Sequence, residues 1–411
     1  MWEGYRILKG IRFLLGIALG FTALWLVVAA LPRKPSQEAA RYFDAGFLGT
    51  SMRHATLSYV SSGLETVAVF LLMYFLVAGE LRRCTCDRVF SGQAIGVAKG
   101  AGLGAVLYAA VGLFLSFVSL PFQLYRGYYL EKSFGLSRMT VSAWLLDYAK
   151  STAFTIVVYV LAGSLTAALV LRFPRTWPYL LTVVFLVGSV FLAFIYPQVV
   201  APAFDKFVPL EDPVLLQEVQ ALSGKAGMKV DKVLVMEASR KTARSNAYFA
   251  GIGSTKQVVL YDTLLSGNSL NEVRLVLAHE LGHWRFGHVV KGILASTAGT
   301  FVVVAMFAML SGSLPKPLVS RDLSRFLLAL FVFASLSSYV LTPAGSFLSR
   351  RFEAQADRYS LALTGDSTSF VSAQVNLARS NLGDVEPPPF IRWFAWTHPT
   401  TIERIRMAEG R

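Results

Sequence analysis

The amino-acid sequence predicts an α-helical integral membrane protein with about seven membrane-spanning helices, a small mixed α/β insert and a helical C-terminal tail. Its 411 residues are 54% hydrophobic and only 16% charged, and the mean hydropathy is +0.52. A soluble protein of this length is less apolar and carries more charge. Seven runs are nearly free of charge, and most reach the roughly 20 residues that a helix needs to cross a bilayer. The runs are Ile11–Leu31, Thr66–Gly79, Ala101–Leu120, Ser151–Leu171, Trp177–Pro202, Gly292–Leu314 and Phe326–Leu348.

The formal charge of +14 does not indicate a nucleic-acid partner. Lysines and arginines beside membrane spans are expected near anionic lipid headgroups, and no dense basic run alternates with aromatic residues. Basic residues occur in nearly every loop, so their distribution does not show which side of the membrane is cytosolic. We expect a multi-pass protein of the endoplasmic reticulum membrane in a eukaryote, or of the inner or plasma membrane in a prokaryote.

The first apolar run has basic residues before it, as a signal peptide does. It is long, however, and six further runs follow, which favours an uncleaved first helix. The chain has two cysteines, Cys84 and Cys86, one residue apart. This spacing strains a disulfide and supplies too few ligands for a structural zinc site, so we expect two reduced thiols in a polar loop.

The longest polar stretch falls between the fifth and sixth runs. We predict five spans in residues 1–202, a polar insert in residues 203–291, two further spans in residues 292–348 and a C-terminal tail in residues 349–411. Two spans separate the insert from the tail, so both lie on one side of the membrane. Side chains from the insert and the tail can therefore form one site.

The insert shows local signals for helices and strands. Pro213–Lys225 has the apolar spacing of a helix, whereas Lys232–Glu237 and Gln257–Asp262 have the clustered β-branched residues of strands. Ser269 followed by Glu272 forms a capping box, which predicts the start of the next helix. The insert is therefore expected to mix α and β structure.

Residues 279–283 in this last helix spell H-E-x-x-H. On a helix, His279 and His283 project from one face and can hold a single Zn²⁺ ion, while Glu280 reaches an attacking water. Only five histidines occur in the chain, so the pattern is rare by chance at this composition. We predict a zinc protease with one Zn²⁺ per chain.

A catalytic zinc site needs a third protein ligand. Glu353 is the first candidate because it lies in a helix-like segment just after the seventh run. Asp357 is one turn further on, where its carboxylate could hydrogen-bond the outer nitrogen of a ligand histidine. The same spacing also fits a solvated acidic face. His288 would lie about 140° from His283 on a continuous helix, which disfavours a ligand and favours a supporting or structural role.

Two side chains are candidates for the chemistry. Glu280 would take a proton from the attacking water and later deliver it to the leaving amine. His398 is the one further histidine that we place on this side of the membrane, and it could donate a hydrogen bond to the oxyanion. A lone surface histidine beside a proline is the alternative interpretation.

Several segments occur in the order found in a known protease family. The chain resembles the type I CAAX prenyl endopeptidases, integral-membrane zinc metalloproteases that cleave farnesylated precursors, and the resemblance covers nearly the whole chain. The segments around the site are His279-Glu280-Leu281-Gly282-His283-Trp284, Ser245-Asn246-Ala247-Tyr248-Phe249, Glu353-Ala354-Gln355-Ala356-Asp357 and Thr397-His398-Pro399 with Ile402-Glu403-Arg404-Ile405. Upstream segments that also match are Leu120-Pro121-Phe122, Glu131-Lys132, Phe134-Gly135 and Ala201-Pro202-Ala203-Phe204-Asp205-Lys206-Phe207.

The resemblance implies roles for individual residues. Glu353 becomes the third zinc ligand, and Asp357 supports it from behind. Asn246 and Ala247 would lie on an edge strand that pairs with the substrate backbone. His398 becomes a contact of the substrate or the transition state.

The resemblance also implies a fold of seven helices around an intramembrane chamber, with the zinc site near one rim. Such a chamber could shield a prenyl chain from water, and burying that chain contributes about 0.8 kcal/mol per methylene. The expected partners are membrane lipids and a peptide with a lipidated or apolar end, and the sequence does not indicate an oligomeric state.

Two alternatives stand beside a CAAX-type protease. The loops around the sixth span are short compared with those of eukaryotic members, and a source without prenyltransferases would favour a quality-control metalloprotease with broad membrane substrates. A catalytically silent seven-helix receptor or scaffold is the alternative from another class. The intact Glu280, Asn246 and Glu353 argue against the silent form.

Overall fold

A computed structural model of the chain describes residues 3–78, 95–228, 230, 232–312 and 320–411. Cys84 and Cys86 lie outside the described residues. In chain order, the α-helices of the described part are α1 (Glu3–Ala30), α2 (Ala39–Tyr42), α3 (Ala45–Ala78), α4 (Val97–Leu124), α5 (Glu131–Ser133), α6 (Val141–Arg172), α7 (Trp177–Ile195), α8 (Ala201–Phe204), α9 (Pro213–Lys225), α10 (Asp262–Gly267), α11 (Leu270–Arg285), α12 (His288–Ser311), α13 (Ser320–Val340), α14 (Thr342–Thr364), α15 (Ser367–Ser380), α16 (Pro389–Ala395) and α17 (Thr401–Ala408).

Seven helical segments of the described chain are long and apolar enough to cross a membrane. They are Arg6–Ala30, Ala45–Leu76, Val97–Ser133, Val141–Arg172, Trp177–Phe204, His288–Ser311 and Asp322–Val340. The third and fifth segments include π-helical turns at Tyr125–Leu130 and Tyr196–Val200. The predicted fold class, a helical membrane protein with seven spans and a small mixed sheet, is confirmed. The four predicted segment boundaries stay a prediction.

The spanning helices form a closed ring. Each helix of the ring contacts the next in the order α1, α3, α4, α6, α7 and α12, and α12 contacts α1. Helix α13 contacts five of these helices and carries the most buried side chains, among them Leu323, Leu327 and Phe333. The ring and α13 therefore share one apolar core.

The polar insert contains four strands, β1 (Phe207–Pro209), β2 (Val233–Met236), β3 (Ala247–Ala250) and β4 (Gln257–Tyr261). Their order in the sheet is β1-β2-β4-β3. Strands β2 and β4 are parallel, and the other two pairs are antiparallel. Strand β3 is therefore an edge strand of this sheet. The two strands predicted from β-branched clusters correspond to β2 and β4.

The helices predicted from local sequence signals in the insert are present in the structure. Helix α9 has the predicted bounds, and Asp212 caps it by accepting bonds from two backbone N–H groups. The capping box of Ser269 and Glu272 starts α11 as predicted. Helix α11 ends at Arg285, and Gly287 adopts a left-handed conformation with φ of 63° before α12 begins. This break separates the motif helix from the sixth span.

Helices of the C-terminal tail pack against the insert. Helix α11 contacts α14 and α15, and α14 contacts α16 and α17. At the contact of α11 with α14, a Cβ atom on Gly282 would lie 3.0 Å from Cα of Ala356. Only glycine allows two helices to approach this closely without a shift. The insert and the tail therefore pack together, which agrees with the predicted placement of both on one side.

Helices α4 and α6 meet at a pair of glycines. A Cβ atom added to Gly104 would lie 2.2 Å from the carbonyl oxygen of Gly163, and the reverse contact has the same length. Small residues permit such close packing between membrane helices. A Cβ atom on Gly102, on the same helix, would meet no atom of the described residues within 4 Å.

We expect Gly104→Ala to destabilise the protein by about 1–3 kcal/mol, because the added methyl group overpacks the α4–α6 contact. Gly102→Ala is the matched control and should leave stability nearly unchanged. Thermal unfolding of both variants in detergent measures the difference. Equal melting temperatures for the two variants would contradict the proposed packing role of Gly104.

Candidate active site

The two motif histidines and Glu353 converge at one point. Helix α11 supplies His279 and His283, and α14 supplies Glu353 across the contact at Gly282. The Nε2 atoms of the histidines lie 3.0 Å apart. Glu353 Oε2 lies 3.2 Å from Nε2 of His279, and Oε1 lies 3.4 Å from Nε2 of His283. The ligand atoms of this group all lie within 4.8 Å of one another.

These distances fit a metal site. Tetrahedral zinc with bonds of about 2.0–2.1 Å places its ligand atoms roughly 3.3 Å apart. Glu353 Oε2 is buried and has no hydrogen-bond partner among the described residues. A buried carboxylate oxygen without a donor is costly, and a cation at this point satisfies it. The residues present therefore suit a divalent metal ion.

The outer nitrogens of the two histidines are also held. Nδ1 of His279 lies 2.8 Å from Asp357 Oδ1, and Nδ1 of His283 lies 3.0 Å from Nδ1 of His288. His288 Nε2 contacts Gln355 at 3.1 Å, and its ring stacks on Phe352. These contacts direct both Nε2 atoms toward Glu353, as ligand histidines require.

His288 and His283 do not lie on one continuous helix, so the predicted separation of about 140° around that helix is wrong. The break at Gly287 places His288 at the start of α12 instead. From there its ring reaches His283 directly.

Asp357 is fully buried and forms an ion pair with Arg404 in addition to its contact with His279. Burial opposes ionisation of Asp357, but Arg404 and His279 outweigh it and lower the pKa of the carboxyl group. Burial also disfavours the charged form of His279, yet Asp357 outweighs it and raises the pKa of His279 to about 10. Asp357 therefore stays ionised and electron-rich behind the ligand histidine.

Glu280 lies beside the ligand group and is 9% exposed. Burial raises the pKa of its carboxyl group. Its Oε2 atom accepts a hydrogen bond of 2.9 Å from the backbone N–H of Phe249 on β3. Glu280 thus lies between the ligand group and the edge strand, in a position to exchange protons in the cleft.

A cavity of about 350 Å³ joins these groups. Its walls include Asn246 and Ala247, and the Asn246 carboxamide accepts a bond from the Ala247 N–H. Because the Phe249 N–H points away from β4, alternate residues of β3 present their backbone groups to the cavity. Ala247 thus begins the edge strand and Asn246 immediately precedes it, with its backbone carbonyl bonded to Tyr261 of β4; substrate binding by the two residues stays a prediction.

His398 also lines this cavity, and its side chain is 54% exposed. Its Nε2 atom lies 3.3 Å from Glu353 Oε2. His398 was not the only further histidine on this side, because His54 of α3 also lies here and contacts Glu131 at 2.9 Å. The sequence did not show this position of His54, because a single sequence does not indicate how deep in the membrane a residue of a spanning segment lies.

Three positioning contacts were also missed. Arg404 belongs to a segment that matched the family, but its pairing with Asp357 has no local signal. Arg244 donates two hydrogen bonds to Glu131, and Ser245 is held by Asn381. These contacts fix the chain immediately before β3.

Comparisons with known proteins agree with this arrangement. Peptidase family M48 matches residues 209–411, and the family described as CAAX prenyl protease N-terminal, five membrane helices, matches residues 49–206. CAAX prenyl protease 1 of Saccharomyces cerevisiae is 30% identical over 316 residues, which cover 70% of this chain and 68% of the relative. The human CAAX prenyl protease 1 homolog is 31% identical over 346 residues, covering 72% and 71%.

A bacterial relative and a solved structure are similar as well. An uncharacterized metalloprotease of Bacillus subtilis is 31% identical over 309 residues, covering 73% of this chain and 71% of the relative. The crystal structure of S. mikatae Ste24p has a TM-score of 0.78 at 24% identity and covers 99% of both chains. This match shows a shared fold.

The helical framework, the ligand group and the peptidase match define a membrane metalloendopeptidase. More particularly, the chain belongs to the CAAX prenyl protease family. Membership in a peptidase family favours an enzyme over the silent receptor or scaffold.

We expect Asp357→Asn to destabilise the protein by about 3–5 kcal/mol, because Arg404 keeps its buried charge without a partner. Metal affinity should fall about 10–100-fold, since His279 loses its carboxylate support. Thermal unfolding and metal titration in detergent measure both effects. Asp44→Asn is the control, because Asp44 is 65% exposed and lies 3.9 Å from Arg379. Equal effects of the two substitutions would contradict the role given to Asp357.

Proposed function

We propose that the protein is a zinc-dependent endopeptidase that cleaves peptides with a prenylated or similarly apolar end at the membrane. The observation that carries this proposal is the position of Glu280 between the ligand group and the outer edge of β3. A peptide that adds to this edge passes directly over the ligand atoms. The names of the yeast and human relatives support prenylated proteins as substrates.

Zinc fits the ligand group best. Two imidazole nitrogens and one carboxylate at these distances are a common ligand set of catalytic zinc, with a fourth position left for water. The protein would hold the ion through His279, His283 and Glu353. When bound, zinc lowers the pKa of a coordinated water to about 7 and polarises a carbonyl group.

The remaining steps use side chains of this chain. Asn246 and Ala247 orient the substrate strand, with the scissile carbonyl above Glu353. Glu280 takes a proton as a water oxygen bonds to the carbonyl carbon, and it returns the proton to the nitrogen as the C–N bond breaks. His398 donates a hydrogen bond to the oxyanion between these steps. The products are a new carboxylate and a new amine.

The prenyl chain would leave the cleft toward the membrane ring. The site lies on helices that adjoin α12 and α13, so an apolar group extending from the peptide meets membrane helices rather than solvent. A chamber within the ring, as the resemblance implies, would hold it.

A quality-control protease with broad substrates is the second candidate. The Bacillus subtilis relative, described only as a metalloprotease, supports a bacterial setting for this architecture. The chemistry would be the same, and only the preference for a lipidated peptide would differ.

We expect wild-type protein in detergent to cleave a farnesylated C-a-a-X peptide in preference to its unprenylated twin, since prenyl burial adds to binding. Glu280→Gln should keep its zinc and lose activity by about 10²–10⁴-fold, because the base is absent. Mass spectrometry identifies the products, and elemental analysis measures zinc.

Each other outcome of this assay has a defined meaning. Equal cleavage of both peptides would favour the quality-control protease. No cleavage by a zinc-loaded enzyme would overturn the proposed substrate class. Full activity of Glu280→Gln would overturn the role of Glu280.

We also expect about one zinc ion per chain in purified wild-type protein, and none in a His279→Ala/His283→Ala variant, which lacks two ligands. Chelation should abolish cleavage, and added Zn²⁺ should restore it. Elemental analysis with a parallel activity assay measures this. Full occupancy by another metal together with full activity would contradict the assignment of zinc.

A further inference from the structure

Gln374 of α15 faces the catalytic cavity with an unused carboxamide. Only 6% of this residue is exposed, and it lines the cavity that also contains Glu280 and Glu353. Among the residues that the structure describes, none hydrogen-bonds its side chain. Gln374 is not among the side chains with a fully buried, unpartnered polar atom, so its amide reaches the cavity surface, where a bound molecule can complete its hydrogen bonds.

The neighbouring polar side chains on the same helix are satisfied. Ser372 donates a hydrogen bond to Glu272, and Asn376 Nδ2 donates another to the same carboxylate at 2.8 Å. Glu272 lies in the first turn of α11, the helix that carries the metal-ligand histidines. Helix α15 is thus attached to the catalytic helix, and Gln374 is held at a set position relative to the ligand group.

The rest of this helix face is apolar. Phe370, Ala373 and Leu377 line the same cavity and recur with Gln374 at helical spacing. Phe370 and Ala373 are almost fully buried. Residues 247–249 of strand β3 line the cavity too, as does Asn246 just before the strand. The cleft therefore has a backbone edge and an apolar helix face that carries one amide.

We propose that Gln374 hydrogen-bonds the substrate backbone beside the scissile bond, and that Phe370, Ala373 and Leu377 receive an apolar substrate side chain there. The inference rests on the proposed protease function. A peptide paired with β3 directs alternate backbone groups away from that strand, where β3 does not satisfy them. A carboxamide supplies two donors and one acceptor, which match peptide N–H and C=O groups.

The test uses full-length enzyme with zinc in detergent and the Gln374→Met variant, which keeps the side-chain volume and removes the amide. The value of kcat/KM for the C-a-a-X peptide should fall roughly three- to tenfold, as one lost hydrogen bond predicts. The melting temperature should stay nearly equal, because Gln374 has no side-chain hydrogen bond to lose among the described residues. A lower melting temperature with unchanged kcat/KM would identify a structural role and overturn the proposal.

Gln257→Met is the matched control. Gln257 is 1% exposed, its Oε1 atom has no hydrogen-bond partner among the described residues, and it does not line the cavity. Its substitution should leave kcat/KM unchanged. A loss of kcat/KM equal to that of Gln374→Met would show a general effect of removing a buried amide and overturn the proposal.

A set of peptides with one backbone amide replaced by an ester identifies the contact. Esters at successive positions around the scissile bond remove one N–H donor each and weaken one acceptor. At the contacted position, the ester should lower kcat/KM of the wild type and have no further effect in Gln374→Met. Equal losses in both enzymes at every position overturn the inference and leave the protease function standing. If the zinc-loaded wild type cleaves no peptide, the proposed substrate class fails and this inference fails with it.

Discussion

The close approach of α11 and α14 is the constraint on which the site depends. Gly282 of α11 packs directly against Ala356 of α14, so closely that a side chain larger than hydrogen would crowd the contact. One turn away, Ser360 donates a hydrogen bond of 2.7 Å to the carbonyl of Leu275. In the same interface, His279 contacts both Glu353 and Asp357. A larger residue at position 282 would widen the interface and separate the ligand atoms.

Ion pairs and hydrogen bonds between charged side chains connect the catalytic insert to the membrane helices. Glu131, at the end of the third span, contacts His54 of the second span and Arg244 of the insert. Ionised groups near the bilayer are expensive unless they are paired, and here each has a partner. Arg244 is two residues before Asn246, so the same contacts determine where the edge strand begins relative to the spans.

Much of this architecture could be predicted from local patterns. Apolar runs identify the spans, and Ser269 with Glu272 marks the start of the motif helix, because caps and periodicity depend on neighbouring residues. Glu353 and Asp357 follow the motif by at least 70 residues, so their spacing alone was equally consistent with a solvated acidic face. The resemblance to a family was needed to choose between these interpretations, and the structure then brought these side chains to the motif histidines.

Other features had no local signal. The pairing of Arg404 with Asp357 and the position of His54 arise from tertiary packing, which a single sequence does not show. The unpartnered state of Gln374 is likewise visible only when every neighbour is placed. The break at Gly287 was missed because a glycine near a helix end is common, and its left-handed conformation depends on how α12 packs.

The left-handed turn at Gly287 separates the motif helix α11 from the sixth span, α12. Transmembrane helices adjust their tilt when the hydrocarbon thickness of the bilayer differs from their own apolar length. A continuous helix would transmit such a rotation from the sixth span to His279 and His283. With the left-handed turn at Gly287, a tilt of α12 reaches the ligand group through the contact of His288 with His283 and not along a continuous helix. A change in membrane thickness would therefore act on the ring of one ligand histidine, while α11 stays packed on α14.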